Sequence, residues 1–165
     1  MIIRKATLSD VEYIAEILVR SWQFAYKGIM PDELLKELSV DSRVAGWKKH
    51  LSDGGEAWVI EHAGVILGVL EFGSLRDKLI NFEEYGEIYV IYLKPREIGK
   101  GLGAKLMTHA LLNLRAQGFQ NVGIWVLEKN TRAIDFYKRF SFLFSGVSKQ
   151  HPSTGLIEHL YHASI

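Results

Sequence analysis

Apolar residues recur along the chain at two spacings, and these spacings predict helices and strands in a definite order. Val11, Ile14 and Leu18 lie three and four residues apart, which is the spacing of one face of a helix. The preceding Ser9-Asp-Val-Glu12 has the form of a capping box and predicts the start of that helix. Four further helices are predicted. The first begins at Pro31, the second spans residues 42–51, the third runs from Leu102 towards Gly118, and the fourth follows Asn130.

Runs of β-branched and aromatic residues predict the strands. The clearest run is residues 87–93, which Lys94 and Pro95 terminate, and Ala63-Gly64 between two other runs predicts a hairpin. Seven strands are predicted, over residues 2–6, 57–61, 65–72, 86–93, 121–127, 142–149 and 156–162. The order β-α-α-α-β-β-β-α-β-α-β-β predicts a mixed α/β (α+β) fold with helices on both faces of a sheet.

Composition narrows the class of protein. A chain of 165 residues with 48% hydrophobic residues is predicted to fold as a single domain, residues 1–165, with its own core. No apolar run reaches membrane length and the N-terminus has no basic-then-apolar signal, so we expect a cytoplasmic protein that does not enter a membrane. The absence of cysteine excludes a cysteine nucleophile and a cysteine metal site. A net charge of +1 is too balanced to indicate nucleic acid as the main partner.

A glycine-rich loop, Ile98-Gly-Lys-Gly-Leu-Gly103, separates the clearest strand from a predicted helix. Such a loop can bring backbone N–H groups against a phosphate. Gly99-x-Gly101-x-x-Ala104 also fits the dinucleotide fingerprint, but that motif usually follows its strand at once. The Walker pattern is absent, because no Gly-Lys-Ser/Thr follows. Taken alone, the loop leaves open a phosphate site and a turn without a ligand.

A second candidate functional segment follows the next strand. It reads Asn130-Thr-Arg-Ala133-Ile-Asp-Phe136-Tyr137. Asn130 can cap a short helix on which Ala133, Phe136 and Tyr137 share a face. In this order, with a strand between them, the two segments resemble the GNAT superfamily of acyl-CoA-dependent N-acyltransferases. The loop matches that family's pyrophosphate loop, and the second segment matches its N-x-x-A-x-x-F-Y pattern.

The resemblance implies a fold, a reaction and a set of binding residues. The fold would be a central mixed, mostly antiparallel sheet of six to seven strands, splayed at the cofactor site. The reaction would be acetyl transfer from acetyl-CoA to a primary amine by direct attack in a ternary complex, without a metal. The cofactor-binding residues that the resemblance implies are Ile91, Tyr92, Leu93, Ile98, Gly99, Lys100, Gly101, Leu102, Gly103, Ala104, Asn130, Arg132 and Tyr137.

The loop departs from the family pattern Gln/Arg-x-x-Gly-x-Gly/Ala at one position. Arg96 satisfies the pattern literally, but the register that places the last glycine inside the helix puts Ile98 at the Gln/Arg position. In that register, which we prefer, Gly101 and Gly103 are the motif glycines. The loop would then hold the pyrophosphate through backbone N–H groups, with Arg96 or Lys100 as a replacement for the missing side chain.

Three residues are candidates for catalysis. An acceptor amine with a pKa near 10 is mostly protonated at neutral pH, so a general base is needed. Glu87 is the predicted base, because it lies four residues before Ile91 and on the same strand face. By resemblance, the Ile91 N–H would be the oxyanion donor and Tyr137 would donate a proton to the thiolate. The acids that could replace Glu87 are Glu71, Glu83 and Glu84.

The acceptor site is the least determined part. Trp22 and Tyr26 lie in an aromatic segment that could hold an amine by cation–π contact, or could pack two helices together. The expected acceptor is a small-molecule amine, a protein N-terminus or a lysine; no nucleic acid or membrane partner is expected, and a homodimer through the C-terminal strands is open. A non-catalytic acyl-CoA-binding module is the alternative function. Lys100, Arg132 and Lys138 could reach the outer phosphate of coenzyme A, and Ser141 stands where the family often has glycine.

Overall fold

The computed structural model describes residues 1–77 and 85–165. Short 3₁₀ turns at Leu8–Asp10 and Pro95–Glu97 precede two of the helices. The predicted order of helices and strands is confirmed. The elements are β1 (Ile2–Lys5), α1 (Val11–Ala25), α2 (Asp32–Lys36), α3 (Val40–Ser52), β2 (Trp58–His62), β3 (Val65–Ser74), β4 (Tyr85–Leu93), α4 (Leu102–Ala116), β5 (Asn121–Leu127), α5 (Thr131–Lys138), β6 (Leu143–Gln150) and β7 (Ile157–Ser164).

The seven strands are hydrogen-bonded in the order β1-β2-β3-β4-β5-β7-β6. The β1–β2, β2–β3, β5–β7 and β6–β7 pairs are antiparallel, whereas β4 and β5 are parallel. The prediction of a mixed, mostly antiparallel sheet is therefore confirmed. Among the described residues, the parallel ladder covers three pairs, from Tyr85↔Asn121 to Glu87↔Gly123. The rest of β4 and the rest of β5 lie beyond this ladder.

Contacts divide the described chain into two compact units. Unit 1 comprises Met1–Glu71 and Val90–His109, and unit 2 comprises Phe72–Tyr89 and Ala110–Ile165. β3, β4 and α4 each contribute residues to both units.

The core of unit 1 forms because α1 presents one continuous apolar face. Val11, Ile14 and Ile17 are fully buried on this helix and pack in one cluster with Val59 and Val69 of the β2–β3 hairpin. Burying each such side chain stabilises the fold by roughly 1.5–3 kcal/mol, so the apolar face of α1 contributes substantially to the stability of unit 1. The two-residue turn of the hairpin is the predicted Ala63-Gly64, with φ of 49° and 77°.

Unit 2 is built around β5, which is buried on both of its faces. Val122 and Ile124 are buried on one face, and Gly123 and Leu127 are buried on the other. A strand flanked on both sides and covered on both faces takes such a continuous apolar sequence. By contrast, β6 at the end of the strand order alternates between exposed and half-buried positions, as an edge strand does.

The start of α1 differs from the prediction of a capping box at Ser9 and Glu12. Thr7 begins the turn, and its backbone N–H donates to Asp10 Oδ2 at 2.8 Å. Arg4 of β1 donates to both oxygens of Asp10, at 2.7 and 2.9 Å. These bonds hold the pKa of Asp10 below its ordinary value, although burial opposes them. The Ser9–Glu12 prediction was wrong because the capping box forms two residues earlier, between Thr7 and Asp10.

Candidate active site

The glycine-rich loop of unit 1 has the conformation that a phosphate cradle requires. Gly99 and Gly101 have φ of 87° and 82°, in the left-handed region that favours glycine. A Cβ built on either one would meet no heavy atom of the described residues within 4 Å, apart from its chain neighbours. The loop is therefore open on the side where a side chain would project.

The loop leads directly into the N-terminus of α4. Lys105 N–H donates to Gly101 O at 3.3 Å, which is the first bond of the helix, and Leu102 anchors the turn with 3% exposure. Gly103 and Ala104 lie in the first turn, as the preferred register requires. First-turn N–H groups have no partner within a helix, and the helix dipole favours a negative charge beside them. This arrangement can bind an anion through backbone atoms alone.

The charged side chains around the loop include more bases than acids, and one of the bases is already paired. Lys100 Nζ lies 3.2 Å from both carboxylate oxygens of Glu97, so this cation already has a partner. A cavity of about 450 Å³ next to the loop is lined by the acids Glu16 and Glu97, by the bases Arg20, Lys94 and Arg96, and by Ile17 and Pro95. The backbone N–H groups and the excess of basic side chains are therefore both features of unit 1 that suit a phosphate.

The C-terminal end of β4 is held by α1. Ser21 of α1, 4% exposed, donates its hydroxyl to Leu93 O at 2.7 Å. The hydroxyls of Tyr26 and Tyr92 lie 3.0 Å apart. Ile91, Tyr92 and Leu93, three of the cofactor-binding residues that the resemblance implies, are all half-buried. Ser21 was not found from the sequence, because no local pattern links it to a strand end 72 residues away.

The aromatic residues at the end of α1 pack against other residues of unit 1. Tyr26 is 9% exposed, and the rings of Trp22 and Tyr26 meet edge to face at 5.1 Å between centroids. The Arg43 guanidinium lies 5.1 Å from the centre of the Trp22 ring. Of the two interpretations of this segment, packing between helices therefore has direct contacts in the structure.

Glu87 lies in unit 2, on β4, and is buried with 5% exposure. Its Oε2 accepts from the backbone N–H of Arg76 at 2.9 Å, and its Oε1 lies 3.6 Å from Arg76 Nη2. Arg76 was missed from the sequence, since nothing in its neighbourhood distinguishes it from the other charged residues there. The charge of Glu87 affects a second carboxyl group, that of Glu158. Burial raises the pKa of Glu158, the positive charges of His151 and Lys149 lower it, and the charge of Glu87 raises it further.

The alternative acids are placed differently. Glu71 belongs to unit 1, where its Oε1 lies 3.1 Å from His50 Nε2. Glu83 and Glu84 lie outside the described residues. Glu87 and Glu71 are both buried, with 5% and 9% exposure, and the carboxylate of Glu87 accepts a backbone N–H.

The second motif forms α5 and its caps, within unit 2. Asn130 Oδ1 accepts from Ala133 N–H at 3.2 Å, which confirms the predicted cap. Tyr137 is 8% exposed, and its ring lies 5.7 Å from that of Phe136 and 6.2 Å from that of Phe142. Ser141, in the turn that follows, has φ of 63°, so it takes the left-handed conformation for which the family often uses glycine.

Comparison with known proteins identifies the family. The sequence model described as "Acetyltransferase (GNAT) family" matches residues 11–142. The chain belongs to the GNAT acetyltransferase family. It is similar to the uncharacterized N-acetyltransferase YuaI of Bacillus subtilis (strain 168), with 31% identity over 84% of this chain and 78% of that protein. It is also similar to the spermidine N(1)-acetyltransferase of Thermoplasma acidophilum, with 26% identity over 85% of this chain and 86% of that protein.

The fold of this GNAT acetyltransferase matches solved structures as well. The PaiA N-acetyltransferase of Thermoplasma acidophilum, crystallised in complex with coenzyme A, aligns over the whole of both chains with a TM-score of 0.73 and 17% identity. The expectation of an acyltransferase is confirmed by the family. The expectation of a GNAT fold is confirmed by the strand order and by this alignment.

Three further observations concern the exposure of two predicted residues, metal binding and membrane-spanning helices. Arg132 and Lys138 are exposed on α5. Within residues 1–77 and 85–165, no group of three or more His, Asp or Glu side chains could hold a metal ion. Over the same residues, no helix has the length and apolar character needed to cross a membrane.

Proposed function

We propose that this acetyltransferase transfers an acetyl group from acetyl-CoA to a primary amine, by direct attack of the amine in a ternary complex. The open glycine loop at the start of α4 is the observation that carries the proposal. Two left-handed glycines and a helix N-terminus form a backbone site for a pyrophosphate. The coenzyme A complex of the structural relative from Thermoplasma acidophilum supports the choice of ligand.

The loop residues and the end of β4 would bind different parts of the cofactor. N–H groups of the loop and first turn of α4 would hold the pyrophosphate, with glycine allowing close approach. The pantetheine arm is peptide-like and would add to the edge of β4 at Ile91, Tyr92 and Leu93. Because Leu93 O already accepts from Ser21, the remaining groups of this edge would supply most of the pairing. On α5, Asn130 and Arg132 would add contacts.

The chemistry needs a neutral amine. Acetyl-CoA supplies an activated thioester, and the protein must remove a proton from an ammonium group that is charged at neutral pH. Glu87 would take this proton, directly or through a water molecule. The Ile91 N–H would stabilise the negative charge that develops on the carbonyl oxygen. The chain has no cysteine, so it holds no thiol for a covalent acyl intermediate, and direct attack is the simpler route.

Tyr137 would complete the reaction as the proton donor to the departing thiolate. The Tyr137→Phe variant tests this role, since it keeps the ring and removes only the hydroxyl. We expect kcat to fall at least tenfold while the dissociation constant of coenzyme A changes little, because a proton donor acts mainly in the transition state. Equal kcat in the variant and the wild type would remove Tyr137 from the mechanism.

The acceptor is proposed to be a small-molecule amine, and spermidine is the first to test, because a relative of nearly the same length is a spermidine N(1)-acetyltransferase. The experiment is a panel of primary amines, amino acids and a peptide with a free N-terminus, each mixed with acetyl-CoA. Thiol release is followed by a colorimetric reagent and the acetylated product by mass spectrometry. Acetylation of a peptide alone would shift the proposal to a protein acceptor, and release of thiol without an acetylated amine would contradict it.

A further inference from the structure

Arg76 makes two contacts that an ammonium ion would also make. Its guanidinium carbon lies 3.6 Å from the centre of the Tyr89 ring. Its Nη2 lies 3.6 Å from Oε1 of Glu87. All three residues belong to unit 2, and Glu87 and Tyr89 are two positions apart on β4. A cation in this place is attracted both by the ring face and by the carboxylate.

The guanidinium is not required to orient Glu87. The backbone N–H of Arg76 donates to Glu87 Oε2 at 2.9 Å, and this bond survives any substitution except proline. The Arg76 side chain is 58% exposed, whereas that of Glu87 is 6% exposed. An exposed partner of this kind contributes little to stability, so the guanidinium can leave at small cost.

We propose that the Arg76 guanidinium occupies the position at which the ammonium group of the acceptor binds, between the Glu87 carboxylate and the Tyr89 ring. The proposal rests on the function proposed above and deepens it. Two cations cannot share this position, because like charges a few ångströms apart repel each other. The acceptor therefore has to displace Arg76 before Glu87 can take its proton.

The substrate class follows from this competition. An aliphatic amine that is protonated at neutral pH can replace the guanidinium on both the ring and the carboxylate. A neutral aromatic amine has no charge with which to displace it. The site would thus select aliphatic alkylammonium acceptors, and Tyr89 would be a specificity-determining residue.

The test compares Arg76→Ala with the wild-type protein. Removal of an internal competitor should lower KM for an aliphatic amine about three- to tenfold, from the size of an exposed cation–π contact together with a weak ion pair. The kcat value should stay within twofold, since the backbone bond to Glu87 remains. Arg76→Gln is the second variant, and it should behave in the same way if Arg76→Ala folds poorly.

Lys5 offers a matched control. Its Nζ lies 5.9 Å from the centre of the Trp58 ring and pairs with Glu56 Oε1, so Lys5→Ala removes the same kinds of contact in unit 1. It should leave KM unchanged. In the Arg76→Ala background, Tyr89→Leu should reverse the fall in KM, whereas Tyr89→Phe, which keeps the ring face, should not.

A binding measurement separates this inference from the proposed function. Methylguanidinium carries the same cation as Arg76, so ligand-observed NMR should detect its binding to Arg76→Ala at least fivefold more strongly than to the wild type. This result is expected whether or not any amine is acetylated. Equal binding to both proteins would overturn the inference. So would an unchanged or higher KM in Arg76→Ala, or a fall in kcat alone, which would make Arg76 a positioning residue for Glu87.

Discussion

Replacing Gly101 by alanine should separate the role of the loop in binding from its role in folding. Gly101 has φ of 82°, and a Cβ there would meet no heavy atom of the described residues within 4 Å. The substitution therefore adds no clash with the described residues. It does add backbone strain, and it places a methyl group on the open side of the loop, where the phosphate is proposed to lie.

The magnitude can be worked from the backbone. A non-glycine residue in the left-handed region costs about 1–2 kcal/mol, part of which is offset because alanine restricts the unfolded chain. The net loss of about 1 kcal/mol should lower Tm by about 2–4 °C for a chain of this length. If the variant also loses one N–H bond to a charged phosphate, about 1.5–3 kcal/mol of binding disappears, so Kd for coenzyme A should rise roughly 10- to 150-fold.

Gly118 provides the control for this prediction. It closes the other end of α4 with φ of 96°, and a Cβ there would also meet nothing within 4 Å among the described residues. Gly118→Ala should therefore lower Tm by a similar amount without changing Kd.

The assay is isothermal titration with coenzyme A, together with thermal unfolding of each variant. A Kd for Gly101→Ala within twofold of the wild type, or an equal rise in Gly118→Ala, would refute the reasoning. Ile98→Ala should have a smaller effect than Gly101→Ala. A larger effect would mean that the loop register preferred above is wrong.

Three other predictions concern the turn after α5, the proposed general base and the loss of stability at low pH. Ser141→Gly should raise the free energy of unfolding by about 0.5–1 kcal/mol, because it relieves a left-handed serine; calorimetry checks this, and a lower Tm would contradict it. Glu87→Gln should lower kcat/KM about 100-fold near pH 7 and less as the pH approaches the pKa of the amine; an unchanged pH–rate profile would exclude Glu87 as the base. The pKa of Asp10 is depressed by the hydrogen bonds from Arg4, so its contribution to stability is present above its ordinary pKa of 3.8 and is lost as the pH falls. Asp10→Asn should lower stability by about 2 kcal/mol at pH 7 and flatten the loss of stability in acid, and urea unfolding at several pH values checks both effects.

The local parts of the fold were accessible from the sequence because they depend on near neighbours. The strand before the loop, the apolar face of α1, the Ala63-Gly64 turn and the Asn130 cap all rest on contacts within a few residues. In each case the residue type restricts the backbone directly, through φ, through a side-chain bond to a nearby N–H, or through periodicity.

Contacts between distant segments could not be found in this way. The predicted capping box failed because Thr7 and Asp10 form the box two residues earlier, and the bonds from Arg4 of β1 to Asp10 follow no local pattern. Nothing near Ser21 indicates that it holds Leu93, and nothing near Arg76 indicates that it meets Glu87. The chain has many polar residues of the same types, and the sequence does not show which of them become partners in the folded protein.

The sequence by itself determined the order of the elements, the glycine loop and the two motifs that place the chain in the GNAT family. The tertiary structure alone decided how the side chains of β4 are held. It buried Glu87 against a backbone N–H, set a guanidinium over Tyr89 and joined the Tyr26 and Tyr92 hydroxyls, which are 66 positions apart. The physical reason is range: backbone conformation responds to adjacent residues, whereas burial and charge pairing depend on what the folded chain brings alongside.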